Sequence, residues 1–428
     1  MNRTPGTSAF RACLAATGMA LLAFPFAAEA STGIPLTRVG SGAASLGMGG
    51  NTVGLANDMS AAFANPGGLS FIRSREFHGG IEGLGSHVST DFAGSTGGDV
   101  LRRFRFPSVG ILYPFPTSQG GVAVTAQMHS PYIFDDVLVF EGTRSVAGEA
   151  VTTSRDYRIF GNLRYWTGGA GIQIAPGLSI GTALSLVTGG DNTRDIYYRL
   201  VDSRLVDTFD DTDQKFARTV VGYDLRFGLL YRLLDQFQLG VRAALPQRFR
   251  FEESLHETYP NQPAEGAYNA LYRGKLYSSF SGAAGMAALL PFATFTTEGR
   301  VRLPYSFAYP GESIPSSSEA NKYKIGAGAG IEVPVPRTGL RIRAGYSWDE
   351  YDPFSLVATY GNEPAGWNNP GSEVTTNRNL VTAGFGYLAS RVLLDAAYGY
   401  QFYALQTARV LEEDHSFHRV AFSLSVRY

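Results

Sequence analysis

The sequence predicts an all-β fold: a transmembrane antiparallel β-barrel of about 14 strands. First, the last strand, residues 418–428, alternates apolar residues such as Phe422 and Leu424 with small or polar ones, and Tyr428 ends the chain. Successive strand side chains point to opposite faces. Second, no apolar run approaches the roughly 20 residues of a membrane helix. Third, mean hydropathy is only -0.06, as expected when half of each strand faces a polar lumen.

Residues 1–30 have the pattern of a signal peptide. Two arginines precede an apolar run over residues 12–24 that is too short to span a bilayer, and residues 28–30 read Ala-Glu-Ala, a small-x-small cleavage signal. The alternative, a buried hydrophobic helix, fits these flanks poorly. Cys13 is the only cysteine, so cleavage before Ser31 leaves no thiol, disulfide or soft-metal ligand.

The charge balance gives no reason to expect nucleic acid. The chain has 36 Lys and Arg and 37 Asp and Glu residues; removal of residues 1–30 takes away two Arg and one Glu, which leaves a net charge of -2. Such a chain does not attract a polyanion. The 51 glycines and 23 tyrosines suit a barrel instead, because tyrosine favours the membrane–water interface and glycine relieves crowding in the lumen.

The same alternation recurs along residues 73–428, the predicted barrel. In 221–233 the odd positions are apolar or aromatic and the even ones mainly glycine or charged, and 340–348 repeats the pattern. Charge costs most on the lipid face, so its confinement to one face favours a membrane barrel over the alternative, a soluble β-sandwich. The predicted strands lie near 73–84, 104–116, 119–129, 154–174, 177–198, 215–233, 237–256, 292–303, 304–312, 321–333, 339–350, 377–388, 391–403 and 415–428.

Two regions give the weakest pattern. The strands predicted at 292–303 and 304–312 flank Pro304 and Pro310, which cannot donate ladder hydrogen bonds. Residues 276–291, mostly small and apolar, are predicted to form a helix within a loop.

Turn lengths orient the barrel, because outer-membrane barrels have short periplasmic turns and long outer loops. Gly and Pro supply tight-turn geometry at the short connections. Short turns are predicted at 117–120, 175–177, 234–236, 334–338 and 388–390, and long loops near 130–152, 190–214, 257–275, 351–376 and 404–414.

Residues 31–72 do not alternate and instead carry three short runs rich in small residues. They read Ala-Ser-Leu-Gly-Met-Gly-Gly at 44–50, Val-Gly-Leu-Ala-Asn-Asp at 53–58 and Asn-Pro-Gly-Gly-Leu at 65–69. These runs resemble the amino-terminal segment of the FadL/TodX family of outer-membrane transporters. The sequence departs from the family at Gly67, where alanine is usual, and at Met59, which replaces a second acidic residue.

The resemblance implies a 14-stranded barrel in which residues 31–72 plug the lumen as a hatch. It also implies passive uptake of hydrophobic compounds, such as long-chain fatty acids or aromatic hydrocarbons, with no reaction and no cofactor. An apolar ligand needs a pocket that excludes water and a route sideways into lipid. The plug motif comprises Gly47, Met48, Gly49, Gly50, Asp58, Asn65, Pro66, Gly67, Gly68 and Leu69.

Three alternatives remain open at this stage. The segment 31–72 could fill and stabilise the barrel without gating it. The barrel could be a non-transporting scaffold that holds a secretion partner, in which case salt bridges would fill the lumen and leave no cavity. It could also be a general porin, which would pass small sugars.

A sideways exit is the first candidate site. Gly120 and Gly121 mark a place where the strand near 119–129 can kink. The resemblance implies exit beside the hatch, with Asn65 and Pro66 against that gap. The alternative is that the glycine pair only serves the turn that begins at Thr117.

Lumenal charges are the second candidate site. Asp224 and Arg226, and likewise Arg341 and Arg343, are spaced to share the lumenal face. They could bind a ligand carboxylate or pair to stabilise the interior.

Other patterns point away from catalysis and metal binding. Gly-x-Ser-x-Gly at 177–181 lies in an alternating strand, not the strand–turn–helix that a hydrolase needs, so no catalytic residue is expected. A solvated acidic loop is favoured over a calcium site for the aspartates, since no spacing matches an EF-hand. They are Asp207, Asp210, Asp211 and Asp213.

The expected location is the outer membrane of a Gram-negative bacterium. The expected partners are a hydrophobic small-molecule ligand, outer-membrane lipid and lipopolysaccharide, and the barrel-assembly machinery, which would recognise Tyr428 at the end of the last strand.

Overall fold

The computed structural model describes most of the chain after the predicted signal peptide, which lies outside the described residues. The described residues are 33–34, 36–38, 42–55, 57–117, 120–205, 210–262, 266–309, 320–353, 355–360, 372–407 and 410–428.

Strands dominate the described residues, and the helices are short. The strands are β1 (Gly33–Ile34), β2 (Thr37–Arg38), β3 (Glu76–Phe92), β4 (Ser95–Phe115), β5 (Val122–Ile133), β6 (Asp136–Val146), β7 (Glu149–Ala175), β8 (Leu178–Val201), β9 (Asp211–Leu234), β10 (Phe237–Ala244), β11 (Gln247–Thr258), β12 (Tyr268–Ser278), β13 (Ser281–Leu289), β14 (Thr294–Arg302), β15 (Lys324–Pro334), β16 (Leu340–Asp349), β17 (Leu356–Tyr360), β18 (Ser372–Ala389), β19 (Val392–Thr407) and β20 (Leu411–Arg427). The helices are α1 (Ala43–Gly47), α2 (Ala61–Ala64), the 3₁₀-helix Pro66–Phe71 and α3 (Tyr305–Ala308).

Fourteen of these strands close into one antiparallel barrel. The wall runs β3-β4-β5-β7-β8-β9-β10-β13-β14-β15-β16-β18-β19-β20 and returns to β3. The closing pair extends from Leu411 opposite Phe92 to Arg427 opposite Glu76. Beyond it, Tyr428 exchanges two backbone hydrogen bonds of 3.1 Å with Arg75. The predicted 14-stranded barrel is therefore confirmed.

Two predicted elements are wrong, and their errors cancel in the strand count. Residues 276–291 form no helix, because they contain the wall strand β13. In 304–312 the described residues form α3 rather than a strand, with Pro304 before its first turn. The predicted strand 237–256 is also two strands, since Pro246 separates β10 from β11.

Most connections differ in length between the two ends, as predicted. Two at the long-loop end are short instead, between β3 and β4 and between β19 and β20, so the long loop predicted near 404–414 is wrong. A sixth short turn, at 290–293 between β13 and β14, joins the five predicted ones. At the other end, β7 has 27 residues and β8 and β9 have 24 each, so these strands extend into the segments predicted as loops near 130–152 and 190–214.

An apolar band flanked by aromatic residues covers the outer face. Trp166, Leu186 and Tyr223 lie side by side on β7, β8 and β9, and exposed Tyr231 follows Tyr223 eight residues along β9. At about 3.3 Å per residue the two tyrosines are about 26 Å apart along the strand, or about 20 Å along the axis after tilt. This height approaches the ~25 Å apolar band of outer-membrane barrels.

Among the described residues, no helix combines the length and the apolar character that a bilayer-spanning helix requires.

Candidate binding site in the lumen

The described residues of the range 42–72 cross the inside of the barrel. At one end α1 contacts β16, β18, β19 and β20, and at the other the 3₁₀-helix contacts β5, β7, β8 and β9. Leu46, Val53, Phe63 and Leu69 are at most 3% exposed. We call residues 42–72 the lumenal segment.

A row of inward glycines lets the backbone of the lumenal segment touch the barrel backbone. A Cβ at Gly181 would lie 2.2 Å from the Pro66 carbonyl oxygen, and one at Gly345 would lie 2.2 Å from the Gly49 nitrogen. No side chain fits at such distances, so these wall positions require glycine. Further glycines of this kind are Gly171, Gly228, Gly240, Gly285, Gly328 and Gly330.

Two buried asparagines fasten the lumenal segment to the wall. The Asn51 side-chain nitrogen donates to the carbonyls of Ala329 at 3.1 Å and Tyr346 at 3.0 Å. The Asn65 nitrogen donates to the Leu229 carbonyl at 2.9 Å, and its oxygen accepts from the Gly67 nitrogen at 3.1 Å. Each asparagine side chain therefore supplies hydrogen-bond partners to buried backbone groups, which are costly to leave unpaired.

The residues of the predicted plug motif shape this path. Gly49 and Gly50 have φ of +68° and +75° in the turn after α1, a conformation that favours glycine. Asp58 accepts hydrogen bonds from the nitrogen of Ser60 at 2.8 Å and from its hydroxyl at 2.5 Å, just before α2. Pro66, Gly67, Gly68 and Leu69 lie in the 3₁₀-helix, Met48 and Leu69 are buried, and Gly47 packs against Arg343 and Gly384. Whether this segment gates the lumen stays a prediction.

The structure places the predicted exit residues differently. Asn65 lies against β9 and β10, and Pro66 lies against β7, β8 and β9. Gly120, with φ of +73°, accepts a hydrogen bond from Thr117 at 3.1 Å, and a Cβ at Gly121 would meet Ser70 and Arg73. Here the glycine pair serves the turn and the attachment of the lumenal segment.

The regular pairing of the wall strands breaks on β5, towards the long-loop end of the barrel. The last pair between β4 and β5 joins Ser108 and His129, and the β5–β7 register shifts between His129 and Tyr132. Above that shift β2, instead of β4, pairs with Tyr132 and Ile133. Phe63 of the lumenal segment packs here, its ring centre 4.9 Å from that of His129. β5 therefore bends inward and leaves the edge of β4.

A cavity of about 250 Å³ lies between the lumenal segment and the wall strands, towards the long-loop end of the barrel. One side is apolar, where Leu36, Tyr165, Phe249 and Leu356 belong to a buried cluster. The rest is charged, with eight basic and four acidic side chains in the lining. The cavity can therefore hold an apolar chain at one side and an anionic group at the other.

The lumenal charges predicted from the sequence are paired with each other or with the wall. Arg226 donates to Asp224 at 2.5 Å, and its guanidinium lies 3.7 Å from the centre of the Phe63 ring. Arg343 bridges Glu332 at 2.6 Å and Asp395 at 2.5 Å, and Arg341 bonds Glu332 at 3.1 Å. Arg341 and Arg343 do not line the cavity. Ion pairing already satisfies these arginines, which leaves less capacity for a ligand.

Arg242 on β10 is the exception. It lines the cavity and is 7% exposed, and among the described residues it has no hydrogen bond or ion pair, with Nε left without a partner. A buried charge without a counter-ion is costly, so Arg242 is the best-placed group for an anionic ligand. Alternation alone put Arg242 on the lumenal face but did not distinguish it from the paired arginines.

Ser179 and the acidic residues contribute to structure. The Ser179 hydroxyl lies 2.5 Å from both the Gly67 carbonyl oxygen and the Ser70 hydroxyl, so it holds the lumenal segment. Asp210 and Asp211 are buried, and Asp210 pairs with Arg199 at 3.2 Å; they are not a solvated loop, and Asp207 lies outside the described residues. Within the described part of the chain, no group of three His, Cys, Asp or Glu is arranged to hold a metal ion.

The fold and lumen define a class: a 14-stranded barrel with an internal amino-terminal segment and a cavity above it. No protein-family model matches the chain, and no curated protein matches its sequence.

Solved structures share this class. The toluene transporter TodX of Pseudomonas putida superposes with a TM-score of 0.61 at 16% identity, over 92% of this chain and 99% of TodX. A Pseudomonas aeruginosa FadL homologue gives 0.61 at 15%, over 92% and 99%. The Ralstonia pickettii toluene transporter TbuX gives 0.59 at 13%, over 91% and 98%. The chain therefore has the FadL/TodX fold, as its residues 44–69 indicated.

Proposed function

We propose that this protein is an outer-membrane channel for passive uptake of hydrophobic and amphipathic small molecules, such as fatty acids or aromatic hydrocarbons. The observation that carries the proposal is the cavity, because it places an apolar cluster beside the buried, unpaired Arg242. The solved structures with the same fold include toluene transporters. The cavity is slightly smaller than the ~300–1,000 Å³ typical of drug-sized ligands, which favours a small or medium-length ligand.

The energetics of binding follow from the two sides of the cavity. Each buried CH₂ contributes about 0.8 kcal/mol. A carboxylate that reaches Arg242 would supply the missing counter-ion and gain charge-assisted hydrogen bonds. This arrangement favours an acidic amphiphile over a neutral hydrocarbon of the same length.

The ligand would leave sideways. The backbone contacts of the lumenal segment at the glycine row support a blocked axis and favour this exit over a porin. The strand pairing between β4 and β5 ends at Ser108 and His129. Beyond that break the side chain of Arg105 on β4 donates to the Ser130 carbonyl of β5 at 2.9 Å, and Tyr132, beside the break, lines the cavity. A ligand that passed Tyr132 would reach the apolar band outside without crossing water.

A scaffold without transport is the competing function. The many lumenal ion pairs fit it, whereas the cavity and the unpaired Arg242 favour transport. We propose that bilayer lipid surrounds the apolar band and that the assembly machinery recognises the exposed Tyr428.

Uptake by cells tests the proposal. A strain that lacks the gene should take up labelled decanoate or toluene more slowly than the complemented strain, with equal glucose uptake in both. Equal uptake across a broad hydrophobic panel would reject transport, and swelling of proteoliposomes in small sugars would support a porin.

A further inference from the structure

The lumenal cavity has a second polar end, on the wall strands β18 and β19. Gln401 on β19 lines the cavity and is 5% exposed, and its amide nitrogen Nε2 has no hydrogen-bond partner among the described residues. Arg378 on β18 also lines the cavity, and its Nε atom has no partner in the same part of the chain. Leu380 is directly opposite Gln401, so Arg378, two residues away along β18, is a diagonal neighbour of Gln401 on the lumenal face. One ligand group can therefore meet both donors.

The guanidinium of Arg378 is held in place without being neutralised. Its Nη1 atom donates to the Leu36 carbonyl at 2.8 Å, and its central carbon lies 4.8 Å from the centre of the Tyr351 ring. Asp349 is its cross-strand neighbour on β16, but the Asp349 carboxylate pairs with Arg300 at 2.9 Å. Within the described ranges, no carboxylate forms an ion pair with Arg378. A fixed cation beside an unpartnered amide favours a ligand oxygen that accepts hydrogen bonds.

The apolar side of the cavity connects this second polar end with Arg242. Leu36, whose carbonyl accepts from Arg378, belongs to the buried apolar cluster together with Phe249 and Leu356. Arg242 is on β10, which is five places from β18 in the wall, so the two arginines lie on different sides of the lumen. A ligand with its carboxylate at Arg242 and its chain along Leu36 would bring its far end towards Arg378.

We propose that the cavity takes a medium-length acid that carries a second oxygen group, a carboxylate or a hydroxyl, at its far end. The first carboxylate would bind Arg242, and the second oxygen group would accept hydrogen bonds from Arg378 and Gln401. Such a ligand gives every unpartnered donor of the cavity an acceptor, whereas a terminal methyl group leaves two buried donors unpaired. This inference rests on the proposed function, since it names the ligand class of the same cavity.

Three acids with chains of the same length test the second polar end. Decanoate, 10-hydroxydecanoate and decanedioate are titrated calorimetrically into the detergent-solubilised wild-type protein. The hydroxy acid should bind about 2- to 10-fold more tightly than decanoate, and decanedioate about 10-fold more tightly or better. A cavity with an apolar far end would give the reverse order, because burial of a hydroxyl or carboxylate without a partner is costly.

Two variants locate the effect. Gln401→Leu should remove most of the preference for 10-hydroxydecanoate over decanoate and leaves the bond between Arg378 and Leu36 in place. Arg378→Met should remove the preference for decanedioate, and Arg378→Lys, which keeps the charge, should retain part of it. The control Arg391→Met changes an exposed arginine in the turn between β18 and β19 and should keep both preferences. Heat-dependent migration in SDS gels verifies that each barrel is folded.

The outcomes separate this inference from the proposed function. Tightest binding of decanoate by the wild-type protein would overturn the second polar end alone and leave its donors to ordered water. Preferences that survive in both Gln401→Leu and Arg378→Met would overturn it as well. Failure of all three acids to bind the wild-type protein would overturn the proposed function too.

Discussion

Replacing Arg242 with methionine should separate the binding of an acidic ligand from that of a neutral one. Methionine keeps much of the side-chain length but removes the one buried cation of the cavity without a partner in the described chain. Hydrogen bonds to charged groups contribute about 1.5–3 kcal/mol, so decanoate affinity should fall about 10- to 150-fold. Decanol, which presents the same tail without the charge, should bind within about 3-fold of its wild-type affinity.

Calorimetric titration of both ligands into detergent-solubilised protein measures the effect. Arg242→Lys, which keeps the positive charge, should retain part of the preference for decanoate. Arg341→Gln changes a lumenal arginine that does not line the cavity and should leave both affinities unchanged. Equal losses for decanoate and decanol in Arg242→Met, or no loss for either, would refute the assignment of the anionic site.

Stability supplies an independent check of the same reasoning. Arg242 is desolvated and forms no direct ion pair with any described residue, so Arg242→Met should keep or raise the unfolding temperature. Arg343→Met, in contrast, leaves the buried Asp395 without its partner and should destabilise the barrel by about 3–5 kcal/mol. A lower unfolding temperature for Arg242→Met than for Arg343→Met would show that Arg242 is already satisfied.

The remaining predictions concern the lumenal segment and the exit. Gly181→Val should displace the lumenal segment, since its Cβ would meet Pro66, and proteoliposomes with this variant should swell in small sugars. Gly168→Val, where a Cβ meets nothing within 4 Å, should cause no swelling. Equal swelling with the two variants would count against a lumenal segment held by these backbone contacts. Phe106 is 72% exposed beside the unpaired edge of β4, and a bulky maleimide on Phe106→Cys should reduce decanoate uptake several-fold. The same label on Phe385→Cys, a position 63% exposed on β18, should have no effect. Equal inhibition in the two variants would exclude this exit.

The regular wall could be predicted from the sequence because lipid and lumen impose opposite chemistry on alternate residues. The prediction failed where that contrast disappears. In β13, Gly285 must be small because it lies against Gly54 of the lumenal segment. Most other residues of the strand are glycine or alanine, so no clear alternation of large and small residues marks it. At Pro246 the alternation continues from β10 into β11 although the strand pairing changes, and periodicity does not record pairing partners.

The candidate site was harder to predict than the fold. The resemblance located the lumenal segment, but only the folded chain shows that Asn65 bonds Leu229 of β9 and that Phe63 packs at the bend of β5. The charges were partly predictable. Arg226 pairs with Asp224 of its own strand, as their spacing allowed. Arg343 instead pairs with carboxylates of β15 and β19, and Arg242 has no such partner among the described residues. For Arg343 and Arg242, pairing between strands decides which cation remains available, and residue spacing within one strand contains no information on that pairing.

The most direct measurement of the central claim is an experimental structure of the protein with decanoate brominated at its tail. Lumenal binding predicts anomalous bromine density among Leu36, Phe249 and Leu356, with the carboxylate within hydrogen-bond distance of the Arg242 guanidinium. Bromine density confined to the outer apolar band, with an empty lumenal cavity in crystals soaked above the measured Kd, would contradict a lumenal binding site and with it the proposed route of uptake.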